Sequence, residues 1–384
     1  MNKQSKIFAL IMLLAFITGT AYMCLQGEKL SLEDKQRVKT RFDQYINYRG
    51  FSGAVYAVYK GGAVYDDGAG MATDTIENGS DIAYGVASLT KQITAAAIMQ
   101  LSEQGKLSVD DKLGKYFPEY RYGDKITLRQ LLSQRSGIPD YSVDTVKDQI
   151  VVSCFKDDSK GVNISADSSA QENRKKIREY FLSKKLLFEP GSEFDYSDSN
   201  FALLAEIVAQ VGGMSFHEYV RQNIFEPLGM EKTDFIDEYD PEVITEVAQT
   251  DRKEFSIDYF TVKGAEYGCG DMLTTPKDLY RWYKGFTSGK VVNSDSYREM
   301  TENYSEKGEL GYGYGLMISD ESDSKTVYHY GYIPSYYSSM IYVPGIDYFQ
   351  VVLSNHGAGN PHRLAADLAE YFGSVIDFKF VDIE

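Results

Sequence analysis

Two β-rich stretches at opposite ends of the chain constrain its fold more than any other feature. Near the start, "FSGAVYAVYKGGAVYDDGA" (51–69) gives two apolar runs around Gly61-Gly62, the pattern of a hairpin. Near the other end, "TVYHYGYIPSYYSSMIYVPGIDYFQVVLSN" (326–355) gives three more, broken at Ile333-Pro334 and Pro344-Gly345. Asn360-Pro361 then opens a helical stretch to Phe372, with Gly373 as its stop. Between these ends the pattern is mostly helical. The economical architecture is α/β of the α+β kind: one antiparallel sheet from both chain ends, flanked by helices, with a helical region inserted. The sheet region is expected over about 30–87 and 265–378, and the helical region over about 88–264. With 384 residues, 43% of them hydrophobic, the chain can bury a large core.

Two segments stand apart. Residues 142–178, including "KDDSKGVNISADSSAQENRKK", are polar and read as an exposed excursion bordering a cleft. Residues 1–27 place Lys3 and Lys6 before an apolar run, Ile7 to Ile17, followed by small residues up to Ala21. That is an export pattern, either a cleaved signal peptide or an uncleaved membrane anchor. A periplasmic or extracellular location is expected.

Charge and metal-binding residue types narrow the function. A net charge of -16 argues against nucleic acid or anionic membrane surfaces as partners. Cysteines 24, 154 and 269 have no metal-like spacing, and the four histidines form no H-x-x-x-H pair, so no metal is expected. Whether Cys154 and Cys269 pair is open.

The stretch "YGVASLTKQITAAAIMQLSEQGKL" (84–107) carries an apolar stripe at helical spacing, with Gly105 as a stop. Ser88 falls at its N-terminal end and Lys91 three residues on, on the same side. A serine hydroxyl needs a base before it becomes a nucleophile, and burial lowers an ammonium pKa toward that role. Alone, S-x-x-K arises often by chance, and Ser88 serves equally as an N-cap.

Two further features bear on it. In "FEPGSEFDYSDSNFALLAEIVAQVGG" (188–213), Tyr196 and Asp198 lie on the loop before a helix. A tyrosine there is commonly a packing residue; its functional reading is a phenol with lowered pKa shuttling a proton. His329-Tyr330-Gly331 lies on a late β run. A lone strand histidine is usually structural; its functional reading is an edge strand beside the nucleophile, with Gly331 permitting close approach.

Ser88-x-x-Lys91, Tyr196-x-Asp198 and His329-x-Gly331, in this order and at these separations, resemble the penicillin-recognising serine hydrolases: class C β-lactamases, D-alanyl-D-alanine carboxypeptidases and related esterases. "ITLRQLLSQRSGIPDY" (126–141), "IFEPLGMEKTDF" (224–235), "GCGDMLTTPKDLYRW" (268–282) and "GYGYGL" (311–316) are similar to family landmarks. The resemblance runs from about Leu30 to Phe372. It implies an acyl-enzyme on Ser88, with Lys91 and Tyr196 handling its proton. Asp198, His329, Tyr330 and Gly331 would bind or orient substrate, and the backbone N–H groups of Ser88 and Tyr332 would hold the oxyanion. No cofactor is implied. The expected substrate is a cell-wall D-amino-acid peptide or a small ester. A non-catalytic penicillin-binding or sensor protein is the alternative.

Departures from the pattern matter. Many relatives have asparagine at Asp198, and an aspartate there is expected to pair with Lys91 and raise its pKa, shifting the work toward Tyr196. Tyr330 replaces a threonine that helps bind a substrate carboxylate, so weak β-lactamase activity is expected, with His329 or Arg363 as candidates to restore the attraction. Gln134 stands where histidine is frequent, with no assigned consequence.

Overall fold

The computed structural model describes residues 30–379, apart from 147–148, 155–160, 251–261, 306–309, 321–323, 335 and 358. The export segment predicted over 1–27 lies outside the described residues. Among those described, no helix is long and apolar enough to cross a membrane.

The elements that position the site are, in chain order, α1 (Leu32–Arg49), β1 (Gly53–Tyr59), β2 (Gly62–Ala69), α2 (Thr90–Glu103), α3 (Asp198–Gly212), α4 (Pro276–Thr287), β3 (Met317–Ser319), β4 (Thr326–Ile333), β5 (Tyr336–Val343), β6 (Tyr348–Ser354) and α5 (Pro361–Ile376). The six strands form one sheet in the order β2-β1-β6-β5-β4-β3. Its paired strands are antiparallel, and the two chain ends meet at its centre, where Gly53 pairs with Ser354 and Tyr59 with Tyr348. This is the expected sheet.

Both faces are covered, so β6 is buried at every position and shows no alternation of apolar and exposed polar residues; its Gln350 amide is satisfied by the Ala365 carbonyl at 2.8 Å. Val38, Phe42 and Ile46 of α1 and Leu364, Leu368 and Phe372 of α5 pack on one face, against Val55, Ile341 and Val352. The other face, with Ala54, Val351 and Leu353, belongs to the main core, which contains α2, α3 and α4.

Two boundaries differ from expectation. Helix α5 starts as predicted, with Asn360 capping the Arg363 N–H and Pro361 in the first turn, but runs through Gly373 to Ile376. Gly373 is a buried helix position, and the stop is Asp377 in the left-handed region. Residues 142–178 are not simply an excursion. Tyr141–Val146, Gln149–Cys154 and Val162–Ile164 form a small antiparallel sheet, and Ala170–Leu182 is a helix begun by a Ser169/Glu172 capping box. A few apolar side chains suffice to anchor it: Val152, Cys154, Ile164, Ile177 and Phe181 all enter the main core.

Candidate active site

Tyr84–Gly85 pairs with Met272–Thr274, and the chain then turns through a 3-10 segment, Ala87–Leu89, before α2 begins at Thr90. Ser88 therefore sits one turn before the α-helix proper. Ala87 has φ 48°, a conformation that costs a non-glycine residue energy and persists only where its surroundings impose it. Those constraints are visible. The Val86 carbonyl accepts the Ser338 hydroxyl at 2.7 Å, and the Ala87 carbonyl accepts the Thr90 hydroxyl at 2.7 Å. The Thr90 hydroxyl in turn accepts the Met272 N–H at 3.1 Å.

Helix α2 is buried on all sides through its first turns, so the Lys91 side chain has no exposed surface. Its ammonium has three donors and meets three acceptors: Ser88 Oγ at 2.9 Å, the Cys269 carbonyl at 2.8 Å and Asp198 Oδ1 at 2.5 Å. The Asp198 contact is a close ion pair without the alignment of a hydrogen bond. Burial works to lower the Lys91 pKa, but the charge of Asp198, supported by Tyr196 and Cys269, holds it well above its ordinary value. This is the pairing expected of an aspartate at this position, and it outweighs the lowering that burial alone would produce.

Tyr196 closes over this pair, its ring centroid 5.0 Å from Lys91 Nζ. Its hydroxyl is enclosed and makes no aligned hydrogen bond, although Lys91 and Ser88 both act on it electrostatically. Burial raises the phenol's pKa, and Lys91 only partly offsets that, so the group is a neutral phenol. The expected lowering does not occur. Gln134 pins the loop on both sides of Tyr196: its main-chain carbonyl accepts the Asp195 N–H, and its Oε1 accepts the Ser197 N–H, each at 3.1 Å. Oε1 also accepts from the Asn200 amide at 2.5 Å. Gln134 has φ 60°.

Acidic groups gather behind Asp198. Its backbone N–H donates to Asp140 Oδ1 at 2.7 Å. Burial and the Asp198 charge push the Asp140 carboxyl up to about 8 and that of Glu266 up to about 7. Carboxylate oxygens of Asp198 and Glu266 and the Cys269 thiol lie within 4.8 Å of one another. That spacing alone would suit a cation, and the Lys91 ammonium already serves as one beside Asp198 and the Cys269 carbonyl.

Among the described residues, strand β3 pairs with β4 only over Thr326 to Tyr328, and beyond that point β4 runs beside the Ser88 turn. A Cβ on Gly331 would lie 2.3 Å from the Val86 carbonyl oxygen and 2.3 Å from Ser338 Oγ, so only glycine fits this crossing. His329 is buried; its Nδ1 lies 2.6 Å from the Tyr330 carbonyl, which makes it the donor, and its Nε2 lies 3.5 Å from the Tyr312 hydroxyl. Burial, with the Lys91 charge, lowers its pKa to about 3, so it is neutral. Tyr312 also packs against Phe194 and Tyr196, with ring centroids 5.6 and 6.0 Å away.

The structure does not bring the Tyr330 side chain into this group. Its ring packs against His362 at 4.9 Å and Tyr328 at 5.6 Å, within the cluster between the sheet and helices α1 and α5. Strand alternation explains this, since His329 and Gly331 take the site face and Tyr330 the other. The role assigned to its side chain is therefore corrected. Tyr332 is 58% exposed, with its ring 4.9 Å from that of Tyr337. Arg363 is engaged with Asp367 at 2.9 Å. Neither His329 nor Arg363 thus supplies the cation considered for a substrate carboxylate.

Gln134, Asp140, Glu266 and Tyr312 complete the site without having been assigned to it. Gln134, Asp140 and Tyr312 lie inside quoted family landmarks, so their segments were flagged although their roles were not. Glu266 gave no signal, being one acidic residue among many in a strongly acidic chain.

Comparison with known proteins agrees with this geometry. The profile of the beta-lactamase family matches residues 38–371. PbpX of Bacillus subtilis (strain 168), provisionally named a penicillin-binding protein, is 27% identical over 317 residues, covering 80% of this chain and 73% of that protein. Protein flp of Staphylococcus aureus (strain NCTC 8325 / PS 47) is 24% identical over 349 residues, covering 85% of this chain and 64% of its own, so the chain spans under two thirds of that relative. Among solved structures, the octameric penicillin-binding protein homologue from Pyrococcus abyssi superposes with a TM-score of 0.71 at 26% identity, covering 90% of this chain and 78% of that one. The D-amino acid amidase of Ochrobactrum anthropi SV3, complexed with D-phenylalanine, gives a TM-score of 0.71 at 21% identity over 90% of this chain and 98% of that one, a likeness of fold. With the fold, the Ser88–Lys91 contact and a family match over most of its length in agreement, the chain belongs to the beta-lactamase family, whose members include serine hydrolases and penicillin-binding proteins.

Proposed function

We propose that this protein is an exported serine hydrolase that forms an acyl-enzyme on Ser88 and acts on an amide or ester, such as a D-amino-acid peptide of the cell wall or a small ester. The observation that carries this reading is the 2.9 Å contact between Lys91 Nζ and Ser88 Oγ, on a strained turn beside strand β4. In this mechanism Ser88 Oγ attacks the carbonyl and passes its proton to the Tyr196 oxygen, while Tyr196 hands its own proton to the departing nitrogen or oxygen. The phenol begins and ends neutral, as its burial requires. Lys91 stays charged and stabilises the emerging alkoxide, and the N–H groups of Ser88 and Tyr332 receive the carbonyl oxygen. Water then repeats the exchange in reverse. No step calls for a cofactor.

A second reading is favoured by the fully occupied Lys91 ammonium, which leaves no free amine to activate water: a penicillin-binding or sensor protein that acylates and then stalls. Intact-mass spectrometry decides between them. A fluorophosphonate or penicillin adduct is expected on the wild type and none on Ser88→Ala; an adduct that persists on another residue overturns the assignment. Rapid turnover of a p-nitrophenyl ester supports the hydrolase, and an adduct that never clears supports the sensor.

A further inference from the structure

Behind the carbonyl that receives Lys91 lies a second buried charge cluster, which the roles above do not use. His217, in the short helix Phe216–Val220 and 1% exposed, lies flat on Phe235 with ring centroids 3.8 Å apart. Its Nε2 is hydrogen-bonded to Asp271 Oδ2 at 2.8 Å, and its Nδ1 lies 3.1 Å from Glu238 Oε1, a charge contact without the alignment of a hydrogen bond. The other oxygen of Asp271 accepts the Gly268 N–H at 3.1 Å, closing the turn 268–271. This turn presents two carbonyls to α2: Gly268 O accepts the Thr94 hydroxyl at 2.6 Å, and Cys269 O accepts Lys91 Nζ at 2.8 Å. A continuous run of contacts therefore leads from His217 through Asp271 and the turn to the ammonium on Ser88.

We propose that His217 is a positioning residue: held as an imidazolium between Asp271 and Glu238, it locks the 268–271 turn and so keeps Lys91 aligned on Ser88. The proposal rests on the reading of Ser88 and Lys91 given above. The imidazolium keeps an N–H on Asp271 and, through its charge, holds Asp271 and Glu238 together on either side of the ring. With the proton lost, the two carboxylates would face each other across an uncharged ring, and the one that closes the turn would lose part of its hold.

The charges around the ring support the imidazolium. Asp271 faces it from the turn, and Glu238 and Asp237 from the segment after Phe235. Arg221, after the His217 helix, is partly spent on Asp234 at 2.7 Å as well as on Glu238 at 3.1 Å. Tyr267 contributes an uncharged ring 5.0 Å away, and Glu218, the next residue, is tied to Ser215. Burial alone would lower the His217 pKa, but Asp271 and Glu238 raise it to about 9. Because the folded value exceeds the unfolded one, the imidazolium's contribution to stability is fully present below pH about 6.5, and the clamp itself is lost as pH rises through about 9.

The test uses the full chain and a short acyl ester. Wild-type kcat is expected to fall as pH rises through about 9, and in Glu238→Gln that midpoint is expected to move down by about one unit or more, since an opposite charge is removed beside an imidazolium. His217→Gln is expected to lower kcat by about 10²-fold with a much smaller change in KM, the pattern of a misplaced catalytic group. In proton NMR, one of the four histidine resonances should titrate near pH 9 and shift down in Glu238→Gln, an assignment that stands even if His217→Gln fails to fold. A kcat midpoint that ignores Glu238→Gln, or no histidine titrating above 8, overturns the proposal. Failure of Ser88 labelling would instead overturn the reading beneath it, so the two outcomes are distinct.

Discussion

Lys91 and Asp198 form a 2.5 Å ion pair in which the lysine side chain has no exposed surface and the aspartate keeps 26% of its own. The carboxylate reaches solvent while the ammonium does not, so the ammonium meets the reaction only through Ser88 Oγ, 2.9 Å away. Removing the carboxylate charge leaves Lys91 with burial as the dominant influence, and its pKa falls. In Asp198→Asn, the pH at which kcat/KM falls as Lys91 loses its proton is expected to move to lower pH. Since the folded Lys91 value lies above 10.5, the pair's contribution to stability is complete below 10.5 and lost only as pH climbs through that higher value. An unchanged rate profile in Asp198→Asn would show that the two side chains do not interact.

Gly331→Ala tests the crossing of β4 over the nucleophile turn. The added Cβ meets the Val86 oxygen and Ser338 Oγ at 2.3 Å, so strand and turn must separate. Losing one oxyanion donor typically costs about 10² to 10³ in rate, and a loss of that order in kcat is expected. The measurement is kcat on a short ester, with circular dichroism to show that the sheet survives. Wild-type kcat in the variant would mean that this crossing takes no part.

Gln134→Leu addresses the loop that carries Tyr196. It leaves the Ser197 N–H and the Asn200 amide without their buried acceptor, at a cost of about 1 to 3 kcal/mol for each group. A lower melting temperature is expected, with a fall in kcat larger than any change in KM, because Tyr196 acts on the proton and not on binding. A stable variant with unaltered kcat would refute the clamp.

Substrate choice follows from charge. Lys91 is neutralised by Asp198, His329 is neutral, and Arg363 is engaged with Asp367. Substrates with a demanding carboxylate, nitrocefin or a diacyl-Lys-D-Ala-D-Ala peptide, are expected to have lower kcat/KM than a short acyl ester. A lost hydrogen bond to a charged group is worth about 1.5 to 3 kcal/mol, or about 10 to 150-fold. Tyr330→Thr is expected to leave these relative rates unmoved and to lower the melting temperature, because the ring packs on the helix-covered face. A wild type that prefers nitrocefin, or a threonine variant that gains on it, would contradict this account.

The sheet was legible because its strands are long, apolar and bounded by Gly and Pro signals, and because hairpins and caps are local. Ser88 and Lys91 were legible for the same reason, being three residues apart on one face. The protonation states were legible only in part. The aspartate at 198 pointed to a raised Lys91 pKa, which the structure shows, whereas the lowering expected of Tyr196 fails because it depends on how completely the phenol is buried. The direction in which Tyr330 points depends on strand register, which a one-residue change reverses. The described residues of 142–178 are largely exposed or half-buried, as their polarity implies, but their strands and helix are not legible there, because a short amphipathic insertion needs few apolar residues when the core it joins is already large.

The pairing of β1 with β6 has a consequence for biogenesis. The strand that leads toward Ser88 reaches its neighbour only across nearly three hundred intervening positions, from Gly53 to Ser354. Such non-local pairing is slow to form, and during synthesis the early strand waits beside an incomplete partner. The nucleophile turn also takes its shape from Ser338, and the strand that borders it is likewise translated long after the turn itself. A nascent chain halted before these strands emerge would hold Ser88 and Lys91 in sequence but not in register. Hydrolytic competence would then be gained in one step, when the distant strands arrive and pair.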